Sequence, residues 1–313
     1  MKAVWLFGSC LSLVSALCYG ADAGLITVVD GSVRVLRGAT WYKVVEGVRV
    51  QDGDVIEGSD RAQMQIELTS GNNANIVGPA SLYVISAAAR EGKQPADLYM
   101  PQGWVKLAAR SPAPPIKLRS PLGTIDAGNA VAVVRVAANS FEVFVESGSA
   151  RVSDTGRTGA EAAPREVRGG DFAGRTSDRP LAVGGGAPPP FVTAMPRHFM
   201  DTLPSRADKY RTTRVELAVD RPISFAEAEP WLNGPYRRAF VKRLQPRLSD
   251  AAFRAAVAAN AQAYPEWGSV LTPQAQPQPQ VQPQPQAAKA NSTEKAPEKK
   301  ESGLPWPFSG SRR

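Results

Sequence analysis

The sequence predicts a mainly β protein followed by a small α-helical module and a disordered Pro/Gln-rich tail, and three features carry that reading. Between Gly24 and Asp178, apolar residues alternate in short runs broken by Gly, Asn and Asp, the period of a half-buried strand. From Met195 to Leu271 the apolar spacing changes to three and four residues, the period of a helix face. From Thr272 onward Pro, Gln and charged residues dominate, a composition that cannot support a core. A length of 313 residues leaves room for one or two domains and their tails.

Residues 1–23 read as a signal peptide. Lys2 precedes an apolar run from Ala3 to Leu17, which suits an export leader and is short for a membrane span. Ala21 and Ala23 offer small residues at the −3 and −1 positions, so cleavage is expected after Ala23, with Gly24 as the first mature residue. An uncleaved anchor would need a stop-transfer flank, and lipidation at Cys18 is disfavoured by the bulky Leu17 before it. The expected location is therefore periplasmic or secreted, with no transmembrane segment in the mature chain. Cys10 and Cys18, the only two cysteines, lie in the leader, so a hydrophobic core has to stabilise the mature protein.

Residues 24–178 read as one β domain. Asp30-Gly31 separates Ile26/Val28 from Val33/Val35 and suggests a hairpin. Met64, Ile66 and Leu68 alternate, as do Leu82 and Val84. Pro101-Gln102-Gly103 reads as a turn before Val105 and Leu107. Val131/Val133 and Phe141/Val143/Val145 flank Ala138-Asn139-Ser140, and Ser147-Gly148 reads as a further turn. Residues 179–194, with three glycines and three prolines in succession, read as a linker that continues neither strand nor helix.

Residues 195–271 read as the helical module. Ser224 to Glu227 fits a capping box, and Pro230 limits that helix. Pro235 opens a second helix, with Tyr236, Phe240 and Leu244 as its apolar stripe, and Pro246 stops it. Ser249 is expected to cap a third, whose stripe is Phe253, Val257 and Ala261. Residues 272–313 form the tail. Mostly polyproline-like, it would reach on the order of 100 Å at ~3.1 Å per residue. Leu304, Trp306 and Phe308 near its end are candidate docking residues, because a few buried aromatics can dominate a binding energy.

The β region carries a family resemblance. "DGSVRVLRG", then "EGVRVQDGDVIEGSDRAQMQIELTSGNNANIVGPASLYVIS", and later "SPLGTIDAGNAVAVVRVAANSFEVFVESGSARVS" resemble the FecR domain of bacterial envelope proteins. The matching positions are Gly31, Gly53-Asp54-Val55-Ile56, Met64 to Leu68, and Gly78-Pro79-Ala80-Ser81-Leu82, and the resemblance implies turns at Gly31, Gly53-Asp54 and Gly78-Pro79. The resemblance implies a β-solenoid or twisted β fold in the periplasm that senses or binds. Founding members regulate a sigma factor through a cytoplasmic segment, a membrane helix and a C-terminal part that meets a TonB-dependent transporter. A cleavable leader in place of the cytoplasmic segment departs from that plan, so the regulatory role does not carry over. The helical module resembles a segment that accompanies FecR-like domains in some proteobacterial proteins and brings no function with it.

Residues suited to catalysis are scarce. His198 is the one histidine, and no G-x-S-x-G elbow accompanies it. With no cysteine in the mature chain, zinc lacks its usual ligands. Asp52 and Asp54 flank Gly53 and could serve as acid–base pair or calcium ligands. Their position in a turn favours bonds to nearby backbone amides instead. Ser292-x-x-Lys295 lies in the tail, without the rigid pocket a nucleophile needs. The expectation is a protein that is not an enzyme, with no metal and no cofactor.

The net charge of +8 sits after Arg179. Within it, Arg237, Arg238, Lys242, Arg243 and Arg247 share a helix face and form a candidate patch for an anionic polymer or surface. The plainer reading is a solvated face opposite Tyr236, Phe240 and Leu244. Trp231, Tyr264 and Trp267 are either a sugar-stacking platform or, more simply, the module's core. The function these features point to is a non-catalytic binding or scaffolding protein of the envelope, with a protein partner first and no nucleic acid. Peptidoglycan or polysaccharide binding is one alternative, and FecR-type signal sensing without the anti-sigma segment is another.

Overall fold

A computed structural model describes residues 22–87, 94–156, 160–201 and 203–268. Trp306 and Phe308 lie outside them. Among the described residues, fifteen strands join one sheet that does not close. They are β1 (Asp22–Asp30), β2 (Val33–Arg37), β3 (Thr40–Lys43), β4 (Arg49–Gln51), β5 (Val55–Gly58), β6 (Gln63–Leu68), β7 (Asn73–Ser86), β8 (Ala96–Ala109), β9 (Ile116–Arg119), β10 (Gly123–Ala137), β11 (Ser140–Asp154), β12 (Arg165–Arg168), β13 (Asp171–Thr176), β14 (Arg179–Gly185) and β15 (Ala218–Pro222). Helices α1 (Pro189–Ala194), α2 (Phe225–Leu232), α3 (Arg237–Leu244) and α4 (Ala251–Ala259) complete the regular elements, with short 3-10 turns between them.

The mainly β reading and the helices after it hold. Every strand pairing is antiparallel except β8 with β9, so the body is an open antiparallel sheet and not a stack of parallel coils. Its central path runs β14-β13-β11-β10-β9-β8-β7-β5-β2-β3-β15. The hairpin at Ala138-Asn139 forms as expected, with Ala137 opposite Ser140 and Val134 opposite Val143.

Several glycines do different work from the turns expected of them. Gly78-Pro79, Pro101 to Gly103 and Ser147-Gly148 sit inside the long strands β7, β8 and β11. Gly103 and Gly148 have φ +124° and +75°, and the ladders shift register beside all three sites. They are bulges, where a glycine lets a strand bend and change partners. Before Gly78, β7 pairs with β6, and after it with β5. Similarly, the two ends of β11 serve β13 and β12. Asp30-Gly31 makes no hairpin either: β1 pairs with β4 and β6, while β2 pairs with β3 and β5. Gly31, at φ +79°, is a corner packed on Ala62.

The 179–194 segment is not a linker. Arg179–Gly185 is strand β14, laddered on β13. The prolines stand at the N-cap and first two positions of α1, where a missing N–H costs nothing. Phe191 of α1 is buried with Phe199 against Val77 and Val133, beside Trp104, Phe144 and Phe172. A strap then runs along the sheet. Lys106 Nζ donates to Phe199 O at 2.6 Å, the Arg206 amide donates to Glu67 at 2.7 Å, and Tyr210 donates to Glu46 at 2.5 Å. The strap ends in β15, which pairs with β3. The described residues consequently belong to one compact unit.

Among the described residues, three apolar clusters hold this unit together. The largest lies within the sheet and includes Ile26, Val35, Ile66, Ile76, Leu107, Val134 and Phe141. Another joins sheet and helices: Leu36, Trp41, Val55, Tyr83 and Tyr99 meet Trp231, Leu232, Phe240, Leu244, Phe253 and Trp267. The third is the Phe191–Phe199 cluster under the strap. No helix among the described residues is long and apolar enough to cross a membrane.

Candidate functional site

Among the described residues, the seam between sheet and helices brings together more of the sequence-selected ones than any other place in the fold. Its β side begins at the Gly53-Asp54 turn between β4 and β5. Gly53 takes φ +88°, which glycine adopts without strain. Asp54 is buried, accepts the Gln51 amide at 2.8 Å, and binds Arg37 through both carboxylate oxygens at 3.0 and 2.7 Å. Asp52 accepts the Ala87 amide at 2.7 Å. Asp54 thus holds turn backbone and a guanidinium, as the turn reading expects, while Asp52 fixes a distant backbone amide just past the end of β7. Gly78 lies behind Gly58. A Cβ there would stand 2.0 Å from Ser59 O, so only glycine fits the crossing before Pro79.

The helical side is built by local chemistry. Ser224 Oγ accepts the Glu227 amide and Glu227 accepts the Ser224 amide, closing the expected capping box on α2. Glu227 also binds Arg221 at 2.6 and 2.7 Å and Arg34 of β2 at 2.9 Å. The Arg221 guanidinium, with the Ser224 amide and hydroxyl, holds the Glu227 carboxyl well below the usual carboxylate range. On α3, Phe240 and Leu244 are buried and Tyr236 half-buried, as the stripe requires. The cap of α4 is Asp250, which accepts the Phe253 amide at 3.0 Å. Ser249, expected in that role, instead donates to Pro246 O and ends the preceding 3-10 turn. Trp231, Tyr264 and Trp267 are buried; they are core and not a stacking platform.

The basic face divides into two groups. Arg243 donates to three sheet carbonyls, Leu36 O, Gly38 O and Gly53 O, and burial pulls its pKa down. Arg237 donates to Ala263 O and Glu266, both at 2.6 Å. Arg247 donates to Ile223 O at 3.0 Å and Asp250 at 3.2 Å. These three arginines fasten the module together and to the sheet. Arg238 and Lys242 alone stay exposed. A continuous five-residue cationic patch is therefore absent from α3 and the turn after it.

Two openings flank the seam. The smaller, about 150 Å³, joins Gly53, Asp54 and Arg243 to Arg37, Tyr83 and Phe240. The larger, about 640 Å³, runs between the ends of β8 to β11 and the start of α3, a volume typical of ligand clefts. Tyr99 and Tyr236 line it, with Pro121, Pro230 and Pro235 as apolar walls and Arg119, Glu161 and Asn233 as polar groups. An aromatic chain joins the openings. Trp231 stacks on Phe240 at 5.1 Å, Phe240 meets Tyr83 at 5.1 Å, and Tyr236 meets Tyr83 and Tyr99 at 5.3 and 5.0 Å. Burial pushes the Tyr99 and Tyr236 hydroxyls up to about 12, so both remain neutral donors at any physiological pH. Arg119 is held by Asp97 at 2.7 and 3.0 Å and by Glu161 at 2.7 Å.

Sequence reasoning singled out Gly53, Asp54, Tyr236 and Arg243, and the fold brings these to the seam. It missed Tyr83, Tyr99 and Arg119, whose strands reach the seam only through sheet order, and Glu161, which sits between β11 and β12. Gly31 lies apart, at its own corner. His198 is exposed in a 3-10 turn of the strap. Among the described residues, no three His, Cys, Asp or Glu side chains gather as metal ligands would.

No protein-family model matches the chain, and a sequence search of characterised proteins also found no match. Two crystal structures of a candidate anti-sigma factor from Parabacteroides distasonis ATCC 8503, at 2.50 and 1.65 Å resolution, are similar in part. Each shares 12% identity at a TM-score of 0.35, over 42% of this chain and 59% of theirs. This chain thus spans less than two thirds of that protein.

Proposed function

We propose that this chain is a non-catalytic binding protein of the bacterial cell envelope, acting by contact with a protein partner. The observation that carries the reading is the 640 Å³ groove, where two neutral tyrosines and four prolines form an apolar lining beside Arg119, Glu161 and Asn233. Buried tyrosines ringed by polar groups are the usual anchors of protein recognition. The groups present offer hydrogen bonds and apolar area, the two things a protein contact uses.

A photo-crosslinking residue placed at Asn233 or Leu122 in living cells tests this. A discrete protein adduct is expected from both positions and not from the exposed Asp60. Equal capture at all three positions, or at none, refutes the groove as the contact. Tyrosine faces beside an arginine–glutamate pair also suit a glycan, and this favours a second reading, polysaccharide binding. Pelleting with purified sacculi that is lost on Tyr236→Ala would establish that reading instead.

A further inference from the structure

The start of β1 conflicts with the leader cleavage expected from the Ala21/Ala23 pair. Ala23 is fully buried in the main core. Its carbonyl accepts the Thr69 amide at 3.0 Å and the Thr69 hydroxyl at 3.3 Å. Asp22 lies opposite Gln51 in the ladder and binds Arg49 at 3.2 Å. Gly24 is buried as well, so close to β6 that a Cβ would stand 2.8 Å from Glu67 O. Cutting after Ala23 would remove two residues of the folded sheet. It would also place a charged amine at buried Gly24, which is unfavourable without a dedicated partner.

We propose that leader peptidase hydrolyses the Gly20–Ala21 bond, so that the mature chain begins at Ala21 and keeps Asp22 and Ala23 as working parts of β1. Water adds across that peptide bond, leaving a carboxylate on Gly20 and an amine on Ala21. Cys18 and Gly20 supply the small side chains that the peptidase needs at −3 and −1. Cutting one residue later would place Tyr19 at −3, which is too bulky. The inference rests on the export reading above.

The full chain with its leader, expressed in a bacterial host and purified from the periplasm, would be examined by intact mass and N-terminal sequencing. The expected first residue is Ala21. A chain starting at Gly24, or a diacylglyceryl adduct on Cys18, overturns the proposal and leaves export standing. An uncut precursor retained in the cytoplasm overturns export itself. Gly20→Leu gives an independent check: it should block processing or move the cut to Ala23. An unchanged N-terminus in that variant refutes the assigned bond.

Discussion

Replacing Arg243 by alanine removes the one side chain that ties α3 to three separate points of the sheet. A hydrogen bond from a charged donor is worth about 1.5–3 kcal/mol. The bond to Gly38 O is solvent-exposed and is counted as nothing. The bonds to Leu36 O and Gly53 O would together give about 3–6 kcal/mol, and partial exposure of the side chain brings this to about 3 kcal/mol. Set against a total stability of ~5–15 kcal/mol, that is a large fraction. It corresponds to a fall in Tm of roughly 6–12 °C for a body of this size. Urea unfolding followed by tryptophan fluorescence measures it, since Trp41, Trp231 and Trp267 lie in the same cluster. Arg238→Ala is the control: Arg238 is exposed on the same helix, and a change within ~0.5 kcal/mol is expected. Arg243→Lys should fall between them, because one ammonium cannot span carbonyls that a guanidinium fork reaches. Coincident midpoints for the Arg243→Ala and Arg238→Ala proteins would refute the fastening role.

Two further predictions concern acid and backbone. The Glu227 carboxyl has a folded pKa below its unfolded value, so its stabilisation is present above the unfolded pKa, about 4.3, and is lost as pH falls below it. Glu227→Gln should unfold more readily near neutral pH and show a flatter loss of stability between about pH 4.5 and 3; parallel pH profiles would contradict this. Gly78→Ala drives a Cβ to 2.0 Å from Ser59 O, whereas at Gly184 nothing lies within 4 Å. Differential scanning calorimetry should show a loss above ~3 kcal/mol for the first and under ~1 kcal/mol for Gly184→Ala, and equal effects would disprove the tight crossing.

Local chemistry was legible in the sequence, and partner choice was not. The Ser224–Glu227 box, the Phe240/Leu244 stripe and the Ala138-Asn139 hairpin depend on residues within a few positions, and each formed where the pattern put it. Asp30-Gly31 has the composition of a hairpin, yet its flanking strands pair elsewhere, β1 with β4 and β6 and β2 with β3 and β5, a choice made by residues far along the chain. Runs of glycine and proline at 184–190 read as a break because composition is blind to an available edge on β13. The cationic face of α3 illustrates the same limit. Helical spacing places Arg237, Lys242 and Arg243 near one another but does not reveal that backbone carbonyls from β2 and the Gly53 turn wait opposite one of them. Tyr99 and Tyr236 are far apart in the chain, and only sheet order makes them neighbours.

Strand β15 is supplied late by the chain to a neighbour made early: β3 ends at Lys43, and its outer partner begins at Ala218. During synthesis the amino-terminal half therefore waits with a bare hydrogen-bonding rim, and with Leu36, Trp41 and Tyr83 uncovered, until the last third arrives. Loops of that span close slowly, and unsatisfied strand rims invite mispairing with other molecules. A shortened version stopping near residue 194 would be left permanently in that sticky condition. The carboxy-terminal third is thus as much a stopper for the β body as a module of its own.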